Sequence, residues 1–436
     1  MLFKSHRSFL ASLPRFPQTA DGMTCLLATA DFRKTLLAKI ALATRRIYIA
    51  ALYLQEDDGG AEILAALYAA KQRQPQLDIA VMVDWHRAQR GLIGAKAQAG
   101  NAAWYQAEAL KQPGISVPIY GVPVQTRELL GVLHLKGFVI DDTVIYSGAS
   151  LNNVYLHTGE RYRYDRYHLL SNAALADAMV QFLSLDIIRQ RGVHRLDLTP
   201  VPATKDIRGD IRHFRQNLKA ARYPSAASNA SENQLSVTPL VGVGPRNPLN
   251  RTIIKLISAT ERRLVICTPY FNLPRGITKA INKLLKNGVQ VDIMIGDKIA
   301  NDFYIPPSEP FKTIGALPYL YEMNLRRFAK AQQRAIDKGL LNILLWNDVG
   351  NSFHLKGIWV DDDYQMLTGN NLNPRAFSLD LENALLIHDP QGELAASSAA
   401  EQAAIRQHTR RVAHYTELEA LLNYPDKVKK LLTRLS

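Results

Sequence analysis

One octet pattern, H-x-K-x-x-x-x-D, occurs twice in the 436-residue sequence. Its histidine, lysine and aspartate are His134, Lys136 and Asp141 in the first copy and His354, Lys356 and Asp361 in the second. Because side chains alternate along a strand, the histidine and the lysine of each copy point to one face. Two copies brought together would supply two imidazoles and two ammonium groups. That cluster suits a phosphoryl group: lysines neutralise its oxygens, one histidine attacks phosphorus and the other transfers protons.

A glycine and an asparagine follow each octet, and they are Gly148 and Asn152 in the first copy and Gly369 and Asn373 in the second. We expect the asparagines to bind non-bridging oxygens and the octet aspartates to orient the histidines. The second copy has one extra residue before its glycine, so either Asp361 or Asp362 could be its functional carboxylate. Lysines beside both histidines disfavour a bound cation, and the sequence has no H-E-x-x-H motif or cysteine pair. We therefore expect neither a metal nor a cofactor.

Strands that alternate with helices surround the octets and predict an α/β layer structure with much parallel pairing. In the first half, residues 46–53 and 77–84 are predicted strands, and residues 30–43 and 61–73 are predicted helices. The second half repeats a strand, a helix and a strand at residues 262–267, 277–287 and 291–297. Equivalent positions are Arg45 and Arg262, Asp84 and Asp297, and His134 and His354. Their nearly constant separation indicates an internal duplication with a domain-sized period.

This duplication predicts two domains that face each other across a pseudo-two-fold axis, with the site at their interface. The first domain is predicted to span residues 1–200, beginning with a loose N-terminal segment, and the second to span residues 240–395. Residues 201–239 contain a small, polar run and are predicted to form an exposed linker. Residues 396–436 are predicted to form a basic helical tail.

The charge balance points to a polyanionic partner. The chain has 53 lysines and arginines against 39 acidic residues, a net charge of +14. Such a protein is attracted to an anionic membrane surface, to nucleic acid or to a ribosome. No apolar run is long enough to span a bilayer, and Pro14 and Pro17 interrupt the short N-terminal one. With only two cysteines, these features predict a cytoplasmic protein. The sequence carries no signal for an oligomeric state.

The two octets resemble those of the phospholipase D superfamily, whose pattern continues as Gly-Ser-x-x-Asn. Ala149 and Asn370 stand where that pattern has serine, so the hydrogen bond of its hydroxyl is lost or reassigned. Asp165 and Glu382 match the downstream acidic position that orients the nucleophilic imidazole in the superfamily. The resemblance implies phospholipase-D-like α-β-α sandwich domains.

Longer stretches resemble the bacterial phospholipase-D-type phosphatidylserine synthases. They are residues 83–91, 162–168, 267–274, 301–306 and 369–375. The resemblance runs from about residue 30 to the C-terminus and is weakest in the predicted linker. It implies transfer of a phosphatidyl group from CDP-diacylglycerol to the hydroxyl of L-serine, with release of CMP, through a phosphatidyl-histidine.

Within that mechanism we assign His134 as the nucleophile and His354 as the base that activates serine. CMP is a phosphate with a second pKa of about 6, so it leaves without much help from an acid. Alternative readings are cardiolipin synthesis or phospholipase D hydrolysis with another acceptor, a phosphodiesterase or nuclease, and a non-catalytic polyanion-binding protein. Two intact octets argue against the last. A nuclease is disfavoured by the absence of a basic run interleaved with stacking aromatic residues.

Further substrate contacts are expected just past strand ends, where α/β sites form. The candidates for serine or cytidine contacts are Asp84, His86, Arg87, Tyr270 and Asn272. The alternative for Asp84 is a cap on the helix that follows it.

Two segments are candidates for contact with a membrane. The apolar, aromatic segment 303–328 includes Phe311, Leu317 and Tyr319 and is followed by basic residues. The alternative for this segment is an inter-domain packing loop. Near the C-terminus, Val428, Leu431, Leu432 and Leu435 share one helix face, and the basic residues around it include Lys429, Lys430 and Arg434. We expect this helix to dock on anionic lipid, which would place the protein at the inner face of the cell membrane. An ordinary capping helix is the alternative.

Overall fold

The computed structural model describes residues 2–91 and 100–434, which form two mixed β-sheets, a two-stranded ladder and the helices packed on them. The strands are β1 (Phe16–Pro17), β2 (Met23–Leu26), β3 (Arg46–Ala50), β4 (Asp78–Asp84), β5 (Ile119–Val122), β6 (Phe138–Ile140), β7 (Thr143–Tyr146), β8 (Arg163–Tyr164), β9 (Tyr167–Ser171), β10 (His194–Arg195), β11 (Ser236–Val243), β12 (Arg263–Thr268), β13 (Gln290–Gly296), β14 (Leu341–Trp346), β15 (Ser352–Phe353), β16 (Gly357–Val360), β17 (Tyr364–Thr368), β18 (Leu381–His388) and β19 (Thr409–Arg411).

The α-helices of the same residues are α1 (Leu2–Ala11), α2 (Thr29–Leu42), α3 (Asp58–Arg73), α4 (Trp85–Gln89), α5 (Asn101–Lys111), α6 (Asn153–Leu156), α7 (Ala173–Phe182), α8 (Arg208–Ala220), α9 (Pro248–Ser258), α10 (Arg275–Lys286), α11 (Leu317–Ala331), α12 (Gln333–Asp337), α13 (Pro374–Ser378), α14 (Ala395–Arg406) and α15 (Asp426–Thr433). The helices and strands expected from the sequence lie within a few residues of these bounds.

The two large sheets repeat one topology, which confirms the internal duplication. The first sheet has the order β10-β5-β4-β3-β6-β7-β9-β2 and the second the order β1-β11-β18-β17-β16-β12-β13-β14-β19. In each sheet three neighbouring strands are parallel, β3 to β5 and β12 to β14. The other pairs are antiparallel because the chain returns through hairpins, so parallel pairing is less extensive than predicted.

The parallel strands arise where an amphipathic helix connects them. In α3, Asp57 caps the helix by accepting the amide hydrogen of Gly60 at 2.9 Å, and Ile63, Leu64 and Leu67 face the sheet. In the second domain, α10 buries Ile277 and neighbouring apolar residues in the same way. Each such side chain contributes about 1.5–3 kcal/mol by leaving water. This packing fixes the sheets that carry the octets.

The two domains share an apolar core. Val139 and Tyr146 of the first sheet pack in one buried cluster with Leu385 and Ile387 of the second. Helices cover the remaining faces, with α2 and α3 on the first sheet and α9 and α10 on the second. The predicted arrangement of two α-β-α domains that meet face to face is confirmed.

The predicted domain limits need three corrections. Residues 10–17 pack on the second domain: β1 pairs with β11, and Leu10 lies in the second core. The predicted linker is not wholly exposed, because α8 buries Ile211 and Phe214. Strand β11 also begins inside the predicted linker. The predicted tail is part of the second domain, since β19 extends its sheet beside β14. These segments contain many polar residues, so their composition did not predict that they pack on the domains.

Candidate active site

The first octet lies in an extended segment that runs along the second domain. His134 donates its amide hydrogen to the Leu381 carbonyl at 2.9 Å, and the Lys136 amide donates to Asn383 Oδ1 at 2.9 Å. Asn383 returns a hydrogen bond from Nδ2 to the Lys136 carbonyl at 2.8 Å. The histidine and lysine therefore precede β6 instead of lying within it, and β18 of the other domain holds them in place.

The second octet is held by the first domain in the equivalent way. The His354 amide donates to the Tyr164 carbonyl at 2.8 Å, and β15, just before it, pairs with β8. Each domain thus positions the other domain's histidine through backbone hydrogen bonds. These bonds need no particular side chain, so neither octet signals them.

Each histidine also binds a carboxylate from the opposite domain. His134 Nδ1 lies 2.8 Å and 2.9 Å from the two carboxylate oxygens of Glu382. His354 Nδ1 lies 2.9 Å from Asp165 Oδ2. All four side chains are buried. A carboxylate at Nδ1 fixes the ring and leaves Nε2 as the nitrogen that can attack or accept a proton. The expectation that Asp165 and Glu382 orient the imidazoles agrees with this geometry.

The two lysines differ in their partners. Lys356 Nζ lies 3.0 Å from Asp165 Oδ2 and 2.6 Å from His354 Nδ1, and it donates to the His354 carbonyl at 2.8 Å. Within the described residues, no hydrogen bond or ion pair holds the Lys136 ammonium. Burial and then the Lys356 charge lower the pKa of Lys136 to about 7. An arriving phosphoryl anion would restore its charge.

The two glycines that follow the octets make room for the opposite domain's lysine. A Cβ atom on Gly148 would lie 2.5 Å from Lys356 Nζ and 2.7 Å from Asp165 Oδ2. On Gly369 it would lie 2.5 Å from Lys136 Cγ. Such distances are too short for a side chain, so the motif needs glycine for close approach of the two domains.

Burial and the lysines favour the neutral form of both imidazoles. Burial and then Lys356 lower the pKa of His354 to about 4. Burial and then Lys136 hold the pKa of His134 well below its usual value. Burial also raises the pKa of Glu382, whereas Lys356 and His354 outweigh burial and lower the pKa of Asp165. A neutral imidazole is the form that can act as a nucleophile or as a base.

Comparisons with known proteins identify the family of this chain. A family model described as "Cardiolipin synthase, PLD-like domain" matches residues 253–405. A CDP-diacylglycerol–serine O-phosphatidyltransferase from Escherichia coli K12 is 55% identical over 430 residues, which cover 99% of this chain and 95% of the relative. Its counterpart from Haemophilus influenzae Rd is 51% identical over 431 residues, with 98% and 95% covered. The crystal structure of phosphatidylserine synthase from Haemophilus influenzae Rd KW20 matches with a TM-score of 0.96 at 50% identity, over 99% and 96% of the two chains. The chain belongs to the phospholipase-D-type phosphatidylserine synthase family.

The octet aspartates of this family member do not orient the histidines. Asp141 follows β6, while His134 precedes it, and its carboxylate accepts the amide hydrogens of Thr44, Arg45 and Arg46 at 2.8–3.3 Å. Asp361 makes the equivalent bonds to the amides of residues 261–263. The expected catalytic role of both aspartates is therefore wrong, because they anchor the far ends of the two hairpins. The equivalence also selects Asp361 over Asp362 as the match to Asp141.

The two motif asparagines cap helices in this synthase fold. Asn152 Oδ1 accepts the Tyr155 amide hydrogen at 3.0 Å, and Asn373 Oδ1 accepts that of Ala376 at 2.9 Å. Asn152 also donates from Nδ2 to the Tyr53 hydroxyl at 3.2 Å. The oxygens are thus occupied, and only the amide NH₂ groups could reach a substrate oxygen. Phosphoryl binding by the asparagines stays a prediction.

The position at which the superfamily pattern has serine lies in a turn of the same kind in both copies. The Ala149 amide donates to Ser147 Oγ at 3.1 Å, and the Asn370 amide donates to Thr368 Oγ1 at 3.0 Å. Asn370 is buried, and its Oδ1 also accepts the Leu372 amide hydrogen at 2.8 Å. The second turn therefore has one side-chain hydrogen bond that Ala149 cannot make.

The residues past the strand ends, which were predicted to contact serine or cytidine, make different kinds of contact in the structure. Asp84 caps α4 through the Arg87 amide at 2.8 Å and also accepts the Leu133 amide hydrogen at 2.9 Å, so its structural alternative is the one observed. Burial raises the pKa of Asp84 to about 6. His86 Nε2 lies 2.7 Å from the Gln125 carbonyl oxygen. The Arg87 guanidinium lies 4.8 Å from the Tyr53 ring centre.

In the second domain the same region approaches His354. The Tyr270 ring centre lies 6.3 Å from that of His354, and its hydroxyl donates to Asp302 at 2.7 Å. Asn272 lies farther along, where Asn324 donates to its Oδ1 at 3.5 Å. Tyr270 is thus beside the catalytic centre, as expected for a substrate contact.

Three neighbours of His354 were not singled out from the sequence: Tyr155, Arg163 and Asp302. The Tyr155 hydroxyl lies 3.1 Å and 3.3 Å from the two nitrogens of the His354 ring. Arg163 stacks over the Tyr155 ring at 4.9 Å. Arg163 and Asp302 lie within stretches that resemble the family, and Arg163 stands two residues before Asp165. These positions in the sequence are the signal from which both residues could have been predicted as site residues.

The expected membrane-binding residues are more buried than predicted. Tyr319 packs on Tyr424 with ring centres 5.0 Å apart, and Val428 and Leu432 complete the same cluster. Phe311 is half-buried against that cluster, and Leu317, also half-buried, begins α11. The prediction that Tyr319 and the apolar face of the last helix enter lipid is wrong, because they pack on each other. Leu435 lies outside the described residues.

Basic residues of the last helix remain at the surface. Lys430 and Arg434 are exposed, and Lys429 is half-buried with its Nζ 3.3 Å from Asp426 Oδ1. Across residues 2–91 and 100–434, the structure contains no helix that is long and apolar enough to cross a bilayer.

Proposed function

We propose that this protein transfers the phosphatidyl group of CDP-diacylglycerol to the hydroxyl of L-serine and releases CMP. The observation that carries the proposal is the crossed pair of histidines, each buried and held at Nδ1 by a carboxylate of the other domain. Relatives that carry this activity in their names are 51–55% identical over nearly the whole chain. The chemistry requires only a nucleophile, a base and cationic groups, and the site holds all three.

In the first step, His134 Nε2 attacks the phosphorus of the phosphatidyl group. The bond from phosphorus to the CMP oxygen breaks, and its electron pair leaves with CMP. We choose His134 because, among the described residues, Glu382 is the sole hydrogen-bond partner of its ring, at Nδ1. Lys136 and Lys356 offset the charge on the phosphoryl oxygens during this step. The product is a phosphatidyl-histidine.

In the second step, the serine hydroxyl oxygen attacks the same phosphorus, and His354 takes the hydroxyl proton. The phosphorus–nitrogen bond breaks, its electron pair returns to His134, and His354 releases the proton to solvent. Burial and Lys356 lower the pKa of His354. The negative phosphoryl group of the phosphatidyl-enzyme raises this pKa and makes His354 a stronger base. One imidazole therefore serves each step.

Release of CMP from CDP-diacylglycerol in detergent–lipid micelles tests the function. We expect serine to stimulate CMP release and to yield phosphatidylserine, and labelled CMP to exchange into CDP-diacylglycerol without serine. Parallel reactions with glycerol, water alone and DNA test other acceptors and the nuclease alternative. Stimulation by glycerol but not by serine would overturn the proposed acceptor.

We further propose that the protein docks peripherally on an anionic membrane surface, since its substrate is a lipid. Exposed leucines lie at two places: Leu129 and Leu130 are beside Arg375, whose charge acts on His134, and Leu422 precedes the last helix. Lys430 and Arg434 add exposed positive charge to that helix. Apolar tips with nearby cations suit an anionic interface.

Flotation on vesicles with and without anionic lipid tests the docking. We expect L129E combined with L422E to reduce recovery with anionic vesicles. A control with the same net charge change, R208Q combined with R212Q, alters exposed positions of α8. Equal flotation of the Leu129/Leu422 variant and wild type would refute this docking surface. Competition by RNA for the vesicle-bound protein would instead support nucleic acid as the polyanionic partner.

A further inference from the structure

A pair of opposite charges lies near His354, linked to its ring through Tyr155 and Tyr270. Arg163 comes from β8 of the first domain and Asp302 from the segment that follows β13 of the second. Arg163 Nη1 and Asp302 Oδ2 are 3.8 Å apart, which is too far for a hydrogen bond. The pair is therefore adjacent but not closed.

Both side chains have unused hydrogen-bonding capacity. Arg163 donates from Nε to Ser352 Oγ at 3.3 Å, and its two Nη groups have no hydrogen-bond partner among the described residues. Asp302 accepts the Tyr270 hydroxyl hydrogen through Oδ1, which leaves Oδ2 for another donor. The side chains retain 18% and 12% of their exposure, so a small polar molecule can reach them.

Both groups are charged. Burial raises the pKa of Asp302, but Arg163, His354 and the Tyr270 hydroxyl together outweigh burial and leave that pKa below its usual value. Burial lowers the pKa of Arg163, but Asp302 and the nearby tyrosines together outweigh burial and raise it. A loosely paired guanidinium and carboxylate offer complementary partners for a carboxylate and an ammonium on one small molecule.

The location of the pair fits the acceptor and not the lipid. Arg163 stacks on Tyr155, whose hydroxyl contacts His354, and Tyr270 links Asp302 to the same ring. A molecule held by the pair would place a group near the base of the second step. On the opposite side, His134 has Arg375 within electrostatic reach, which suits phosphate.

We propose that Arg163 and Asp302 form the binding site for a zwitterionic α-amino acid acceptor, with Arg163 receiving its carboxylate and Asp302 its ammonium. The acceptor hydroxyl then lies toward His354, which takes its proton. Tyr270 is a positioning residue, because its hydroxyl holds the Asp302 carboxylate. This inference rests on the proposed function and adds the residues that select serine over acceptors with one charge or none.

Acceptor selectivity of variants tests the site. Wild type, Asp302→Asn and Arg163→Gln are compared with L-serine, ethanolamine, which lacks the carboxylate, and L-glycerate, which lacks the ammonium and keeps the configuration of L-serine. We expect the KM for serine to rise about tenfold or more in each variant, since a charge-assisted hydrogen bond is lost. Selectivity for serine over ethanolamine falls in Arg163→Gln, and selectivity for serine over glycerate falls in Asp302→Asn. Tyr270→Phe raises the KM for serine severalfold without changing any charge.

CMP exchange without serine provides the internal reference. We expect the ratio of serine transfer to CMP exchange to fall in both charge variants. Arg161→Gln and Glu309→Gln, exposed neighbours of the same charge types, keep the wild-type ratio. If a charge variant does not fold, Arg163→Lys and Tyr270→Phe supply the same comparison.

Two failures are distinguishable. Variants that keep wild-type acceptor selectivity, with transfer and exchange falling together, overturn the acceptor site alone. A wild-type protein that shows neither exchange nor serine transfer overturns the proposed function, and the acceptor site with it.

Discussion

His134 and His354 occupy equivalent positions of a duplicated fold, yet their neighbours differ. At His354, one carboxylate, Asp165, faces both the imidazole and the Lys356 ammonium. At His134, Glu382 faces the imidazole alone, and no lysine bonds to it among the described residues. Two residues before these carboxylates stand Arg163 in one domain and Asp380 in the other. The charges are thus reversed at matching positions.

This reversal assigns different tasks to the two halves. Asp380 is engaged by the Arg375 guanidinium at 3.1 Å and by the Val132 amide at 3.0 Å, so it is a closed structural contact. In contrast, the two Nη groups of Arg163 have no hydrogen-bond partner among the described residues. Duplication preserved the backbone that crosses the domains, while the side chains around each histidine diverged. A symmetric skeleton can therefore carry an asymmetric two-step reaction.

The largest expected difference separates the two histidines. His134→Ala should abolish both CMP exchange and serine transfer, by at least about 10³-fold, because no phosphatidyl-enzyme forms. His354→Ala should slow serine transfer by about 10²-fold or more and slow CMP release less, because CMP departs without a strong acid. Exchange and burst measurements on both variants check this. His213→Ala, at an exposed position of α8, serves as the control.

A CMP burst that survives in His134→Ala and disappears in His354→Ala would reverse the assignment of nucleophile and base.

The two orienting carboxylates should differ in importance by a smaller factor. Asp165→Asn removes a charged partner of both His354 and Lys356, so we expect a loss on the order of 10²-fold in serine transfer. Glu382→Gln replaces a carboxyl group whose pKa burial already raises, so a loss of about tenfold is expected. Steady-state rates at saturating serine measure both, with exposed Glu232→Gln as the control. Equal losses would show that the two sides are electrostatically alike.

The smallest effects concern pH. Burial and Lys356 lower the pKa of His354 to about 4, so its neutral form persists as the pH falls below the ordinary histidine value of 6.5. Burial and Lys356 lower the pKa of Lys136 to about 7, so its charge is lost as the pH rises through that value. We expect kcat/KM for CDP-diacylglycerol to fall above about pH 7, because Lys136 acts in the first step, and kcat/KM for serine to decline only well below pH 6.5, because His354 acts in the second step.

Lys136→Arg should move the alkaline decline to higher pH, since a guanidinium stays charged, whereas Lys338→Arg at an exposed position should not. An acidic decline centred at 6.5 in wild type would contradict the electrostatic environment of His354.

Much of the fold and part of the site could be predicted from local patterns. The duplication and the His/Lys octets are periodic in the chain, and Asp165 and Glu382 stand at a recognisable distance from them. The octet aspartates were assigned a wrong role because a recurring motif does not show whether each of its residues serves catalysis or stabilises the hairpin. Asp141 recurs because its carboxylate and left-handed backbone, with φ 51°, fit the turn.

Other features depend on contacts between distant residues. Periodicity identified the apolar face of the last helix but not its partner, Tyr319, more than 100 residues away along the chain. Arg163 and Asp302 come from different domains, and each alone is an ordinary charged residue. A shared role for the two residues could be inferred only from the fold, which brings both of them near the His354 ring.

The crossing of the domains also bears on when activity first arises during synthesis. A chain still on the ribosome has the first octet long before Glu382 and β18 are made, so His134 has neither its carboxylate nor its backbone support. Leu10 and β1 likewise wait for β11 and the second core. Domains generally fold in order from the N-terminus, but here the first one cannot complete its own histidine site. Catalysis therefore waits until Glu382 and β18 have been made, and a product that ends before them cannot consume its lipid substrate.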